Sequence, residues 1–242
     1  MSFRSAAVTD RELPVDPGDL ALVRCHNAGR AYGGGATTVS AVAEVTCQVP
    51  AEARIAITGS SGSGKSTLLH LLAGLERPNS GSVTWPALNG PPHGRPGRIG
   101  VIFQAPSLLP ALDATENVAL PLLLAGVPAA EATARAHRAL DRLGIGDLAP
   151  QLPEEMSGGQ AQRVAAARVL AGAPRLILAD EPTGQLDHDA GDLVMSVLIE
   201  AADELRAALV VSTHDPVVAA RLPGRWTMRD GRLTETMDGS TH

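Results

Sequence analysis

The sequence predicts an α/β fold built on a mostly parallel sheet, and three observations carry that prediction. Short apolar runs alternate with longer Ala- and Leu-rich stretches of helical character, the pattern of buried strands covered on both faces. One apolar run passes through a glycine-rich loop directly into a helix. Apolar residues make up 44% of the chain but aromatics only 2%, so the core is left to Leu, Val, Ile and Ala, which divide between helices and strands by propensity.

Residues 1–18 are polar and carry Pro and Asp, and are expected to form a loosely ordered tail, with 237–242 a second tail and 19–236 one folded domain. Strand signals follow in LALVRC (20–25) and in alternating segments of TTVSAVAEVTCQV (37–49). ARIAIT (53–58) is a short buried strand ending at Gly59. The stretch Lys65 to Ala73 is a helix stopped by Gly74. GSVTW (81–85) is a strand, PALNGPPHGRPGR (86–98) a Pro- and Gly-rich loop, and IGVIF (99–103) another strand. From 105 to 172 the chain turns helical, with candidate helices at 114–125, 129–143 and 158–171, and is expected to be inserted into the sheet. RLILA (175–179), a helix over 189–206, ALVVS (208–212), a helix near 215–221 and the strands RWTMR and RLTET complete the chain.

The formal net charge of −6 does not suggest a nucleic-acid partner. Cys25 and Cys47 match no metal-ligand spacing and are expected to be reduced thiols. The N-terminus lacks the apolar run of a signal peptide. The longest apolar stretch, VALPLLLAGV (118–127), contains a proline and falls far short of the ~20 residues a membrane span requires. A soluble chain is expected, with any membrane role exerted through a partner.

Gly59-Ser60-Ser61-Gly62-Ser63-Gly64-Lys65-Ser66 fits G-x-x-x-x-G-K-[ST] in full, and Thr67 follows. Its glycines let successive backbone N–H groups converge on phosphates, and the helix behind it adds its positive end. Lys65 is the only lysine beside nineteen arginines. It reaches the β- and γ-phosphates as a flexible point charge, which a planar guanidinium fits less well. The Ser66 hydroxyl suits Mg²⁺. A Gly/Ser turn matching by chance is the alternative.

Asp180 and Glu181 follow the strand RLILA, at the sheet edge where α/β proteins bind ligands. Asp180 suits a Mg²⁺ ligand acting through water, and Glu181 can polarise an attacking water; a pair of solvated acids before a turn is the alternative. Gln104 and His214 end the strands IGVIF and ALVVS in the same way. Gln104 can reach Mg²⁺ or the water, and His214 can hydrogen-bond the γ-phosphate. Tyr32, the only tyrosine, offers a π-face for adenine, or is a plain surface aromatic.

A second glycine device, Ser157-Gly158-Gly159-Gln160, opens the helix-prone VAAARVLA. Ser157 is a good N-cap, so Ser157 and Gly159 stand at the positive end of a helix and can hold phosphate oxygens. The first loop already surrounds its phosphates on one side, so the second device fits the ATP of a twin chain in an isologous dimer. An ordinary capped helix start is the alternative.

In order and spacing these motifs resemble an ABC-type ATPase over about residues 20–235. Tyr32 corresponds to that family's adenine-stacking position, Gly59–Thr67 to its Walker A, Gln104 to its Q-loop and Ser157–Gln160 to its signature. Leu176–Glu181 correspond to its Walker B, Thr183–Asp187 to its D-loop and His214 to its switch histidine. The resemblance implies a P-loop NTPase with an N-terminal antiparallel β-subdomain and an inserted helical subdomain. It implies ATP and Mg²⁺ as cofactors, Asp187 at the partner subunit, and an ATP-clamped homodimer. That dimer would drive an integral-membrane permease docked on the helical block, from the cytoplasmic face of the plasma membrane. YGGGATTVSAV (32–42), FQAPSLLPALDATENVALPL (103–122) and EPTGQLD (181–187) are similar to the ATPases of the lipoprotein-release, macrolide-exporter and cell-division group. The departures are Met156 before SGGQ, Ala161 after it, Gln185 in the D-loop and a short 86–98 loop. An alternative function is a mechanotransmitting ATPase that controls an extracytoplasmic partner. A soluble repair or translation protein is disfavoured by the single ATPase unit and the lack of a basic face, and a P-loop kinase by the SGGQ helix.

Overall fold

A computed structural model describes residues 21–34, 37–91 and 97–237. The first elements are β1 (Ala21–Tyr32), β2 (Val39–Pro50), β3 (Arg54–Thr58), α1 (Lys65–Leu72), β4 (Ser80–Thr84) and β5 (Ile99–Ile102). Then come α2 (Ala114–Leu124), α3 (Ala129–Arg142), α4 (Gly158–Ala171), β6 (Leu176–Asp180), α5 (His188–Glu204) and β7 (Ala208–Ser212). The chain closes with α6 (Pro216–Ala220), β8 (Gly224–Arg229) and β9 (Arg232–Met237). The tail expected at 1–18 lies outside the described residues. Met237, expected to begin the second tail, instead ends β9.

Two sheets form. The larger has the order β5-β6-β7-β3-β8-β9. Its first five strands are parallel, and β9 closes the edge antiparallel to β8. The smaller, β2-β1-β4, is antiparallel. Every residue of β6 and β7 is buried, as interior parallel strands covered on both faces require. Their side chains alternate between two cores. Leu176, Leu178, Ala208 and Val210 face a core shared with α1 and the small sheet. Ile177, Ala179, Leu209 and Val211 face a core shared with α2 to α5. Leu68, Leu69, Leu71 and Leu72 of α1 are fully buried. Each contributes about 1.5–3 kcal/mol relative to an exposed position, which anchors the helix that carries the phosphate loop.

The helices begin where their caps dictate. Asp113 and Glu116 form a capping box on α2, and Asp187 caps α5 through the N–H of Ala190. In α3, Ala132, Ala136, Ala139 and Leu140 make a buried stripe at helical spacing. Between β5 and α2 the chain has no regular structure, and side chains hold it instead. Asn117, buried in α2, donates to the carbonyls of Leu109, Leu112 and Asp113 and accepts from the N–H of Leu109. From α4, Gln162 donates to Phe103 O and Arg168 to Pro106 O and Ser107 O.

Two further details differ from expectation. Strand β1 runs to Tyr32, well past Cys25, because register shifts after Cys25 and a left-handed Asn27 (φ 45) break the alternation that marks a strand in sequence. Pro86–Leu88, within the expected loop, forms one 3₁₀ turn. The only two cysteines, Cys25 and Cys47, face each other directly across β1 and β2, both buried as thiols.

Candidate functional site

The parallel ladder sets the C-terminal ends of β3, β5, β6 and β7 along one edge of the large sheet. An open cleft of about 560 Å³ lies there, lined by Ser61, Gly62, Gly64, Lys65, Ser66, Thr67, Gln104, Glu181 and His214, together with Ala41 and Gly184. Strand order thus brings the four stretches that follow β3, β5, β6 and β7 to one site, at the position where open α/β sheets receive ligands.

The loop between β3 and α1 owes its shape to glycine. Gly64 caps α1 in the left-handed region (φ 102), and a Cβ there would stand 2.0 Å from the carbonyl oxygen of Ala41. Gly59 lies at φ 150, where a Cβ would meet Met228 O at 2.3 Å. No L-residue fits either place without moving backbone. Lys65 is buried, and its Nζ donates to Gly59 O (2.8 Å) and Ser60 O (3.1 Å) while standing 3.9 Å from Glu181 Oε1. Ser63 is buried and its hydroxyl makes no hydrogen bond among the described residues.

Asp180 and Glu181 diverge. Asp180 is 4% exposed and accepts from the hydroxyl of Ser212. Glu181 takes a left-handed backbone (φ 46), unusual for a non-glycine residue and characteristic of functional sites. Its N–H donates to Ser212 O (3.0 Å) and lies 3.3 Å from Ser212 Oγ. Its carboxylate accepts from His214 Nδ1–H at 2.9 Å, and its Oε2 also stands 3.4 Å from the His214 backbone N–H. Ser212 is the residue sequence reasoning missed: it ends the strand ALVVS (208–212), but only the β6–β7 register sets it opposite Asp180.

The second glycine device is not part of this cleft. Ser157 caps α4, its hydroxyl accepting from Gln160 N (3.2 Å) while Gln160 Oε1 accepts from Ser157 N (2.7 Å), a complete capping box. Ser157, Gly158, Gly159 and Gln160 line a separate cleft of about 390 Å³ with Arg163, Gln185, Leu186, Asp187 and Ala190. Asp187 thus joins the second device. Tyr32 belongs to neither lining. It is 39% exposed, its hydroxyl donates to Glu76 Oε1 (3.2 Å), and the Arg30 guanidinium covers its ring at 4.8 Å while pairing with Glu76 at 2.6 Å.

The family model described as "ABC transporter" matches residues 42–184. The lipoprotein-releasing system ATP-binding protein LolD of Shewanella sp. (strain MR-4) is 42% identical over 219 residues, covering 88% of this chain and 95% of the relative. That of Shewanella denitrificans is 40% identical over 229 residues, covering 92% and 98%. Among solved structures, the ATP-binding cassette MJ0796, described as dimeric in a post-hydrolysis state with ADP and Pi, superposes with a TM-score of 0.84 at 32% identity, covering 90% of this chain and all of that one. CbiO1 of Clostridium perfringens, part of the ABC transporter complex cbiONQ, superposes with a TM-score of 0.76 at 27% identity, covering 90% and 89%. The family model spans more than half of the chain and the LolD relatives nearly all of it, so the chain belongs to the ABC transporter family, as one of its ATP-binding cassettes.

Proposed function

We propose that the chain is the ATP-hydrolysing subunit of an ABC transporter, a homodimer that closes on ATP, opens after hydrolysis and so drives an integral-membrane permease. The observation that carries this is the division of labour between two clefts. Lys65, Ser66, Gln104, Glu181 and His214 converge on one, while Ser157, Gly158, Gly159 and Asp187 line another. Two phosphate devices that do not meet within one chain serve two nucleotides, one held by each chain of a pair.

In this reading the N–H groups of Gly59–Thr67 and the start of α1 cradle the phosphates, and Tyr32 stacks on adenine. Lys65 exchanges the carbonyls of Gly59 and Ser60 for β- and γ-phosphate oxygens. Ser66, Gln104 and Asp180 offer a hydroxyl, an amide carbonyl and a carboxylate. These hard oxygens suit Mg²⁺, which takes few protein ligands and completes its shell with phosphate and water. Bound there, the ion would neutralise charge developing on the phosphates. Glu181, oriented by His214, polarises the attacking water. With Nδ1 bonded to Glu181, Nε2 is the ring atom His214 retains for a γ-phosphate oxygen.

Ser157 and Gly159, at the positive end of α4, receive the γ-phosphate of the twin's ATP. The permease docks on the helical block from the cytoplasmic side, where Leu109, Leu123 and Leu124 are exposed, Leu124 at 77%. The named role of the LolD relatives supports a permease of the lipoprotein-releasing kind. The deciding experiment is Glu181→Gln. It is expected to keep ATP binding, lower kcat by at least about 100-fold, and accumulate an ATP-bound dimer in size-exclusion chromatography. Hydrolysis at the wild-type rate would remove Glu181 from its role.

A further inference from the structure

Ser212 ends β7 and Asp180 ends β6, and the parallel ladder pairs them side by side. Both are buried, Ser212 completely and Asp180 to 4% exposure. A carboxylate so poor in water needs a donor from the protein. Among the described residues the hydrogen bond it accepts comes from the Ser212 hydroxyl, to Oδ1. A hydroxyl has one proton and two lone pairs. The proton is committed to Asp180, so the oxygen is left as an acceptor, and it faces the N–H of Glu181 at 3.3 Å. The carbonyl of Ser212 accepts that same N–H at 3.0 Å. One residue therefore holds the side chain of Asp180 and the left-handed backbone of Glu181 at once.

We infer that Ser212 is a positioning residue for the divalent cation: it ties down Oδ1 of Asp180, reserves Oδ2 for the cation or its water, and sets Glu181 at the matching angle. This rests on the reading that Mg²⁺–ATP is the substrate. A ligand's outer partner governs its orientation and basicity, and losing such a partner weakens metal binding substantially. Ser212 does not itself line the cleft, so its effect passes through the two acids it holds.

The test uses the full chain and three variants, Ser212→Ala, Ser212→Thr and Ser212→Cys. Mn²⁺ binding in the presence of ATP is followed by electron paramagnetic resonance, and ATP binding without metal by calorimetry in EDTA. Ser212→Ala is expected to weaken Mn²⁺ binding by about 10-fold, to raise the Mg²⁺ needed for half-maximal hydrolysis in parallel, and to leave metal-free ATP binding unchanged. Ser212→Thr restores the hydroxyl and the Mn²⁺ affinity. Ser212→Cys keeps the volume but offers only a weak S–H donor, so it behaves like alanine and supplies the answer if the alanine variant does not fold. A cation-dependent wild type with an unshifted Mn²⁺ affinity in Ser212→Ala and Ser212→Cys overturns this inference alone. A wild type that hydrolyses ATP equally well without any divalent cation overturns the Mg²⁺ reading and this inference with it.

Discussion

At the scale of a single residue, Lys65 shows how function overrides composition. The chain uses arginine nineteen times and lysine once, at the position where a compact ammonium fits inside a turn of backbone. Its burial is tolerated because the carbonyls of Gly59 and Ser60 accept from it and Glu181 lies 3.9 Å away. The same ammonium N–H groups are poised to donate to phosphate oxygens. Lys65→Ala removes charge-assisted contacts that contribute about 1.5–3 kcal/mol each. It is expected to take ATP affinity below what calorimetry detects, and an unchanged binding isotherm would sink the phosphate-loop assignment. The left-handed Glu181 makes the complementary point, since Ser212 and Gly184 bond its backbone while His214 holds its carboxylate.

At the scale of an element, the irregular segment between β5 and α2 matters most, because it joins Gln104 to the helical block. Its order comes from three buried or half-buried side chains on helices, namely Asn117, Gln162 and Arg168. Burial in this contact lowers the pKa of Arg168 from the usual guanidinium value. Asn117 is the strongest tie, satisfying backbone groups of Leu109 and Leu112 that have no ladder to join. Asn117→Ala leaves buried polar groups unpaired, at about 1–3 kcal/mol for such a group. It is expected to lower the thermal midpoint by several degrees, about 4 °C or more. A midpoint equal to that of the wild type would show that the segment is held by other means.

At the scale of the molecule, the separation of the two clefts is the main fact. One chain presents a nucleotide cleft at the strand ends and, elsewhere, a capped glycine turn packed beside Gln185 and Leu186. Ser157→Arg places a bulky cation at the second device without touching the first. In the Glu181→Gln background, monomeric ATP affinity is expected to stay within about twofold, whereas the ATP-dependent dimer is lost in analytical ultracentrifugation. A normal dimer in the double variant would return Ser157–Gln160 to the role of a helix cap.

Local chemistry was legible in the sequence because it is encoded over a few neighbouring positions. The glycine-rich loop with its lysine, the apolar runs of β6 and β7, and the cap at Ser157 each depend on residues close together in the chain. The fold class follows from these, since strands apolar on both faces require a parallel sheet covered by helices. Strand order and register were not legible, because a ladder pairs residues far apart in the chain by shape and burial. Only the tertiary structure decided that Ser212 stands against Asp180, that β1 continues through its bulges to Tyr32, and that Arg30 lies over that ring. For the two glycine devices the sequence already suggested different ATP molecules, because one loop surrounds its phosphates; their opening into different clefts is set by packing.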